Sequence, residues 1–379
     1  MKYFAAKELV ELGGILYCKL PSRRTKKYDL VLVRTDRIGD YVIWHDTISA
    51  YKQRFQNKKV LLICNDSVSS LAQEEDFFTE LLTFNIGEIK KSPRYAFEFI
   101  KSLKRIKADT LVNSVWERTW YADIFSLAIR ANQKIGILPK KPIGYYINYY
   151  NKQYDCLYDC NNCVSEISAD EMFAQKAIWE DYRYGCYPLR VSAKSPEIRG
   201  LYAVVSFTTS TTQKDWPLDR FVSIINRIPI KYNVVLTGAG RYDEVCGRVI
   251  EERVENKGRI LNYVGKTSVP EMVALISKAT FVIGNDSSAV HIAAATNVPS
   301  IAILSGCHYK RFLPYPTDVV LKVPPRVVSY LMDCYNCEYN CIYPDKEPLE
   351  CIKRITVEMV EKELKLLLDT IDRKSKIII

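Results

Sequence analysis

A chain of 379 residues, 48% hydrophobic and 26% charged, carries too much apolar side chain to be disordered overall and is long enough for two cores. Its 54 basic against 44 acidic residues leave a net charge of +10. That favours an anionic partner such as a phosphate, a nucleotide or an acidic membrane face, without choosing among them. No run of about 18 apolar residues occurs, and MKYFAAKELVELGGILYCKL is broken by Lys7, Glu8 and Glu11, so neither a spanning helix nor a signal peptide is expected. A cytosolic location follows, and the twelve cysteines read as reduced thiols or metal ligands rather than disulfides.

In chain order, the first twenty residues can be written as an amphipathic helix, followed by the basic loop PSRRTKK at 21–27. The pair is either a helix packed on its own domain or a contact with anionic lipid on the cytoplasmic face of the inner membrane. Short β-branched runs then alternate with longer helical patterns: DLVLVRT at 29–35, KVLLICND at 59–66, TLVNSV at 110–115 and KIGIL at 134–138. This is the rhythm of a parallel sheet with crossover helices. It breaks between about 140 and 195, where GYYINYYNKQYDCLYDCNNC has no clear period and the stretch from Pro188 to Pro196 reads as a linker. It restarts with YAVVSF at 202–207, NVVLTG at 233–238, ILNYVG at 260–265, FVIGND at 281–286 and PSIAILSG at 299–306, with DVVLKV at 318–323 as a candidate edge strand. A charged helix at about 356–370 closes the chain and can pack on either domain. The expected organisation is an α/β chain with an acceptor-binding domain over 1–192, a nucleotide-sugar-binding domain over 193–350, and a helical tail over 351–379 that can return to the first domain. In such sheets ligands sit beyond the carboxyl ends of the strands.

Four segments carry candidate chemistry. In RTDRIGDYVIWHD at 34–46, Asp40 stands where a strand gives way to a helix, as a helix cap or as a general base. His45 lies further along that helix. VVSFTTSTTQKDWPLDRF at 204–221 puts hydroxyls and Lys214 after a strand, a solvated loop or a cradle for a diphosphate. TGAGRYDEVCG at 237–247 lacks the remaining glycine of a dinucleotide fingerprint, so Asp243 and Glu244 either reach a ribose hydroxyl or complement a helix dipole. In FVIGNDSSAVHIAAA, the residues Asp286 to His291 open a helix with backbone donors and two hydroxyls, an arrangement that holds phosphate without a metal.

VGKTSVPEMVALISKATFVIGNDSSAVHIAAATNVPSIAILSG closely resembles the C-terminal signature of glycosyltransferase family 9, the ADP-heptose:lipopolysaccharide heptosyltransferases. RIGDYV resembles that family's [LI]-G-D-[VI] segment and QKDWPLDRF its K-x-W-P-x-x-x-[FW], in the same order. The resemblance implies a GT-B architecture, two Rossmann-like domains facing across a cleft, and inverting, metal-independent transfer from a nucleotide-diphosphate sugar such as ADP-heptose. It implies Asp40 as catalytic base, Lys214 on the donor phosphates and Asp286 on the donor sugar. Thr208, Thr209, Glu244, Thr267, Ser287, Ser288, Ala289 and His291 complete the implied donor site, while Arg37 and His45 are acceptor candidates. Ser288 stands where the family usually has glycine. The implied acceptor is a glycan or glycolipid of the bacterial surface, such as a lipopolysaccharide core, and no nucleic-acid partner is expected. A hexosyltransferase of capsule or O-chain assembly, and a non-catalytic sugar-nucleotide-binding scaffold, are the competing readings.

The cysteines form two groups. Cys334, Cys337, Cys341 and Cys351 follow C-x2-C-x3-C-x9-C, and Cys156, Cys160 and Cys163 have Cys186 nearby. No spacing matches a standard zinc finger, which leaves structural zinc or an iron-sulfur cluster open beside unligated thiols.

Overall fold

The computed structural model describes residues 2–23, 25–141, 144–185, 187–319, 321–344 and 347–377. Contacts divide the chain into two compact units, Met1–Tyr187 and Pro188–Ile379. In the first unit the strands are β1 (Lys26–Arg34), β2 (Val60–Asn65), β3 (Glu80–Phe84), β4 (Ile106–Asn113), β5 (Arg130–Ile137) and β6 (Cys156–Tyr158). They lie in the order β3-β2-β1-β4-β5-β6, all parallel. The second unit repeats the plan with β7 (Tyr202–Ser206), β8 (Asn233–Thr237), β9 (Ile260–Asn262), β10 (Phe281–Asn285), β11 (Ser300–Ile303) and β12 (Arg326–Val328), ordered β12-β11-β10-β7-β8-β9.

The central strands are apolar on both faces because helices cover both sides. Val60 to Asn65 are buried without interruption, as are Tyr202 to Ser206 and Phe281 to Asn285. Each sheet has a topological switch where the order of strands reverses: between β1 and β4 in the first unit, between β7 and β10 in the second. The crevice beyond the carboxyl ends at that point is where open α/β sheets hold ligands.

Three expectations need correction. DVVLKV does not form the edge strand: residues 318, 319 and 321–323 are irregular, Val320 lies outside the described residues, and β12 pairs instead with β11 through Ile301 and Arg326. β3 and β6 went unread, and both lie at sheet edges. The closing helix, Val357–Ile377, spends its apolar stripe on the second unit's own core, where Val360, Leu364 and Leu367 pack with Phe221, Ile225 and Val328. Trp216 fastens the same region by donating its indole N–H to the Ile355 oxygen at 2.8 Å.

The N-terminal residues form the helix Lys2–Lys19. Its inner face is fixed by close approach: a Cβ on Gly13 would stand 2.9 Å from the Phe97 ring and one on Gly14 3.0 Å from Ile124, while Ile15 is buried. Its outer face carries Leu12, Leu16 and Leu20, which are 39%, 54% and 55% exposed.

Candidate active site

β1 ends at Arg34, whose buried guanidinium is shared among three elements. Nη1 donates to the Ser114 main-chain oxygen at 2.8 Å and lies 3.7 Å from Asp170 Oδ1; Nε lies 2.7 Å from Asp36 Oδ2. Asp170 belongs to the helix Glu166–Ala177. Burial is the main influence raising its carboxyl well above the ordinary range; Arg34 opposes this, and Glu166, Asp36 and Asp40 add to it. The loop that Arg34 holds leads into the helix Ile38–His45, of which Asp40 is the third residue, half-buried in the first turn. The cap position belongs to Arg37, which is exposed and makes no side-chain capping bond. Asp40 is therefore not the cap, and its carboxylate stands at the carboxyl end of a strand at the switch point.

His45, an acceptor candidate on sequence, is buried and otherwise engaged. Its Nε2 lies 2.6 Å from Glu75 Oε1, and its ring packs on Tyr187 at 5.1 Å. Tyr187 donates to the other oxygen of Glu75 at 2.9 Å, and Lys52 lies 3.3 Å from it. Burial works to raise the Glu75 carboxyl, but the bonds and charges of His45, Tyr187 and Lys52 outweigh it and lower the group to about 2. His45→Ala should cost about 3 kcal/mol of stability, because removing one partner strands a buried charge. A depressed carboxyl contributes stability that is present above its ordinary value of 4.5 and lost as pH falls through about 2. Acid unfolding of the parent beside Glu75→Gln should accordingly show their stability difference shrinking across that window.

In the second unit the predicted donor residues gather at the carboxyl ends of β7 to β10. Gly284 of β10 is registered with Ser206 of β7, and a Cβ there would stand 2.9 Å from the Ser206 carbonyl oxygen, so the two strands meet with no room for a side chain. Beyond them Lys214 Nζ lies 3.7 Å from Asp286 Oδ2 and donates to the Asp286 main-chain oxygen at 3.4 Å. The other oxygen of Asp286 is 3.5 Å from His291 Nε2, and His291 Nδ1 is 2.6 Å from the Tyr315 hydroxyl. His291 thus bridges the carboxylate to a tyrosine that sequence reasoning missed. Burial, the largest influence, works to raise the Asp286 carboxyl. Lys214, the bond to His291 and the charge of His308 win, and the group is lowered to about 2.

Ser287 occupies the cap of the helix Ser288–Ala295 with no side-chain capping bond; its hydroxyl lies 3.4 Å from that of Ser206. The N–H groups of Ser288 and Ala289, in the first turn, have no carbonyl one turn back to meet. The substitution of Ser288 for glycine is harmless to the backbone. The positive-φ non-glycines among the described residues are Asn57, Asn297, Lys310, Asn336, Glu338 and Tyr339, so Ser288 does not need the left-handed conformation that favours glycine.

The surrounding loops are stitched by Asn285, which donates to the Phe207 oxygen at 2.8 Å and accepts from the Trp216 N–H at 3.2 Å. Thr208 is buried, and the Thr209 N–H donates to Asp215 at 2.7 Å. Glu244 is exposed in the first turn of the helix Arg241–Arg253, close enough to the β9 loop that a Cβ on Gly265 would stand 2.9 Å from its Oε1. Thr267 lies half-buried in that loop. Asp243 fills the bland role, accepting from the Ala239 N–H at 2.7 Å.

Cys337, Cys341 and the buried Cys351 pack with Cys307, Leu349 and Tyr335 as small apolar side chains. Burial is the main cause pushing the Cys351 thiol up to about 11. Among the described residues no three His, Cys, Asp or Glu side chains are grouped so as to hold a metal ion. Cys160 and Cys163 are buried in the first unit, and Cys186 lies outside the described residues.

The family "Glycosyltransferase family 9 (heptosyltransferase)" matches residues 97–321, more than half of the chain. The chain belongs to glycosyltransferase family 9. It is a glycosyltransferase, and its α/β architecture is of the GT-B class. It is 24% identical over 301 residues to "Lipopolysaccharide heptosyltransferase 3" of Escherichia coli (strain K12), covering 74% of this chain and 84% of the relative. Among solved structures, a glycosyl transferase family 9 protein from Veillonella parvula aligns with a TM-score of 0.69 at 15% identity, over 91% of this chain and 97% of that one. The Escherichia coli heptosyltransferase WaaC, solved with ADP-2-deoxy-2-fluoro heptose, aligns with a TM-score of 0.66 at 14% identity, over 89% and 98%.

Proposed function

We propose that this glycosyltransferase moves a heptose from ADP-heptose to a hydroxyl of a lipopolysaccharide core or related glycolipid, by a single inverting displacement. Asp40 takes the proton of the acceptor hydroxyl as its oxygen attacks the anomeric carbon, and the bond from that carbon to the diphosphate breaks. Lys214 and the first turn of the helix Ser288–Ala295 receive the negative charge that grows on the departing diphosphate, which leaves the cation's task to a side chain rather than a catalytic metal. The observation that carries the reading is the cluster of Lys214, Asp286 and His291 at the β7/β10 switch point. The names of the relatives supply the sugar and the acceptor class. A donor screen measuring nucleotide release with and without lipopolysaccharide-core acceptors tests it. ADP-heptose with an acceptor should turn over fastest; if no nucleotide sugar bound, the transferase mechanism would fall.

The thiols of the C-x2-C-x3-C-x9-C segment take no part in this reaction. Metal analysis of protein purified under reducing conditions distinguishes a structural ion, at one equivalent, from unligated thiols.

We also infer peripheral contact with an anionic bilayer, carried by the outer face of the helix Lys2–Lys19. No helix among the described residues is long and apolar enough to cross a membrane. Leu12, Leu16 and Leu20 recur at every fourth residue, beside the exposed Lys19 and Arg23 and the lysines of the following loop. Lys26 and Lys27 are partly balanced by Glu80 at 2.6 Å and Asp109 at 3.7 Å, so the apolar stripe supplies much of the attraction. Sedimentation with phosphatidylglycerol vesicles should fall about tenfold in Leu16→Ser/Leu20→Ser, given about 1 kcal/mol for each half-exposed leucine. Equal sedimentation of parent and variant would remove the contact.

A further inference from the structure

The third histidine has no role in the reading above, and its surroundings point to one. β11 lies beside β10, with Ile303 registered against Asn285 and its oxygen accepting from the Asp286 N–H at 3.0 Å. The chain leaving β11 turns through Gly306–His308, so His308 emerges from the strand end next to the one that carries Asp286. Its ring meets the Tyr339 ring edge to face at 5.1 Å and the Phe312 ring at 6.1 Å.

Tyr339 is held there at some cost. It lies in the cysteine-rich segment, where Asn336, Glu338 and Tyr339 have φ of 64°, 49° and 66°, the left-handed region that a bulky side chain avoids. Such strain persists only where surrounding contacts enforce it. Here they do. The Asn336 N–H donates to the Gly306 oxygen at 2.7 Å, the Glu338 N–H donates to the Cys307 oxygen at 3.1 Å, and the Gly306 N–H points at Cys351 Sγ at 3.3 Å. The Tyr335 ring lies so close over Gly306 that a Cβ there would run into it. The same segment reaches the Lys214 loop, where the Leu349 N–H donates to the Gln213 oxygen at 2.9 Å. Tyr339 lies within charge range of both Lys214 and Asp286, and His308 within range of Asp286. Both rings are half-buried, neither sealed in the core nor fully in solvent.

We propose that His308 and Tyr339 form a further wall of the donor site and contact the glycosyl group of the nucleotide-diphosphate sugar. This rests on the reading that Lys214 and Asp286 hold that donor. The helix start and Lys214 take the diphosphate, which leaves the sugar to the groups around Asp286. An imidazole can hydrogen-bond a sugar hydroxyl, and an aromatic face packs on the apolar C–H face of a pyranose while its polar edge stays wet. A wall of this type discriminates sugars, because a hydroxyl that finds no partner leaves buried polar groups unpaired. The cysteine-rich segment then has a task without any metal: it braces the turn that presents His308.

The test compares ADP-heptose with ADP. In His308→Ala and Tyr339→Ala the Kd for ADP-heptose should rise about tenfold, the size expected for one lost hydrogen bond or ring contact, with the Kd for ADP unchanged. His308→Gln, which keeps a donor, should recover part of the loss. Because the chain has only three histidines, their ring proton resonances can be followed in the parent protein, which removes any dependence on the variants' folding. The His308 ring should shift further on adding ADP-heptose than on adding ADP. Equal weakening toward both ligands, or identical ring shifts with both, would overturn the proposal while leaving the donor reading intact. A parent protein that binds ADP but not ADP-heptose would overturn both.

Discussion

Replacing Asp40 with asparagine is expected to lower kcat by about 10²- to 10⁴-fold, the range for losing a positioned general base, while leaving the Kd for the donor unchanged. The substitution keeps size and shape, and the structural cost is bounded. Asp40 is a first-turn acid and not the cap, so its loss forfeits only a dipole interaction of about 0.3–1 kcal/mol. Removing the charge also relieves Asp170, on which Asp40 acts as a like charge. Thermal unfolding should therefore show Asp40→Asn within a few degrees of the parent even as turnover collapses. Single-turnover measurement with saturating donor separates the chemical step from binding. If that step ran at the parental rate, Asp40 would not be the base.

The second large effect is expected at Lys214. Lys214→Met should lower kcat by about 10²- to 10³-fold, comparable with losing a preorganised donor to a developing anion, and should weaken binding of ADP as well. Arginine should rescue poorly, since a compact ammonium on a flexible stem and a planar fork place their charge differently. The variant also leaves Asp286 with less opposing charge in a buried position. In the parent, Asp286 is depressed from 3.8 to about 2, so its contribution to stability is complete above its ordinary value and lost as pH falls through about 2. Lys214→Met should move that loss to higher pH, visible as an earlier acid transition. A variant with parental kcat and ADP affinity would place the diphosphate elsewhere.

Much of the frame was legible because central parallel strands are buried on both faces and so read as unbroken apolar runs. Such were LVLV within β1, VLLIC within β2 and FVIG within β10. The edges were not. β3 (ELLTF) is only partly covered and β6 is three residues long, so neither stands out against its surroundings. The more apolar DVVLKV lost the outer place to Arg326–Val328, a choice made by pairing with β11 that local pattern does not encode. At the site, Lys214, Asp286 and His291 were visible as motif residues, each beside a strand end. Their supports were not, because they come from far along the chain: Asp170 reaches Arg34, and Tyr315 reaches His291. His45 looked available on a helix near the base, and only the arrival of Glu75 and Tyr187 shows that it is spoken for.

The bare contact between Gly284 and Ser206 reaches further than its size suggests. The two charged groups beyond it hang from adjacent strands, so the gap between ammonium and carboxylate is measured out by main-chain atoms before any side chain is chosen. Even a methyl group at position 284 would act as a shim, spreading the jaws that grip the leaving group without itself coming near it.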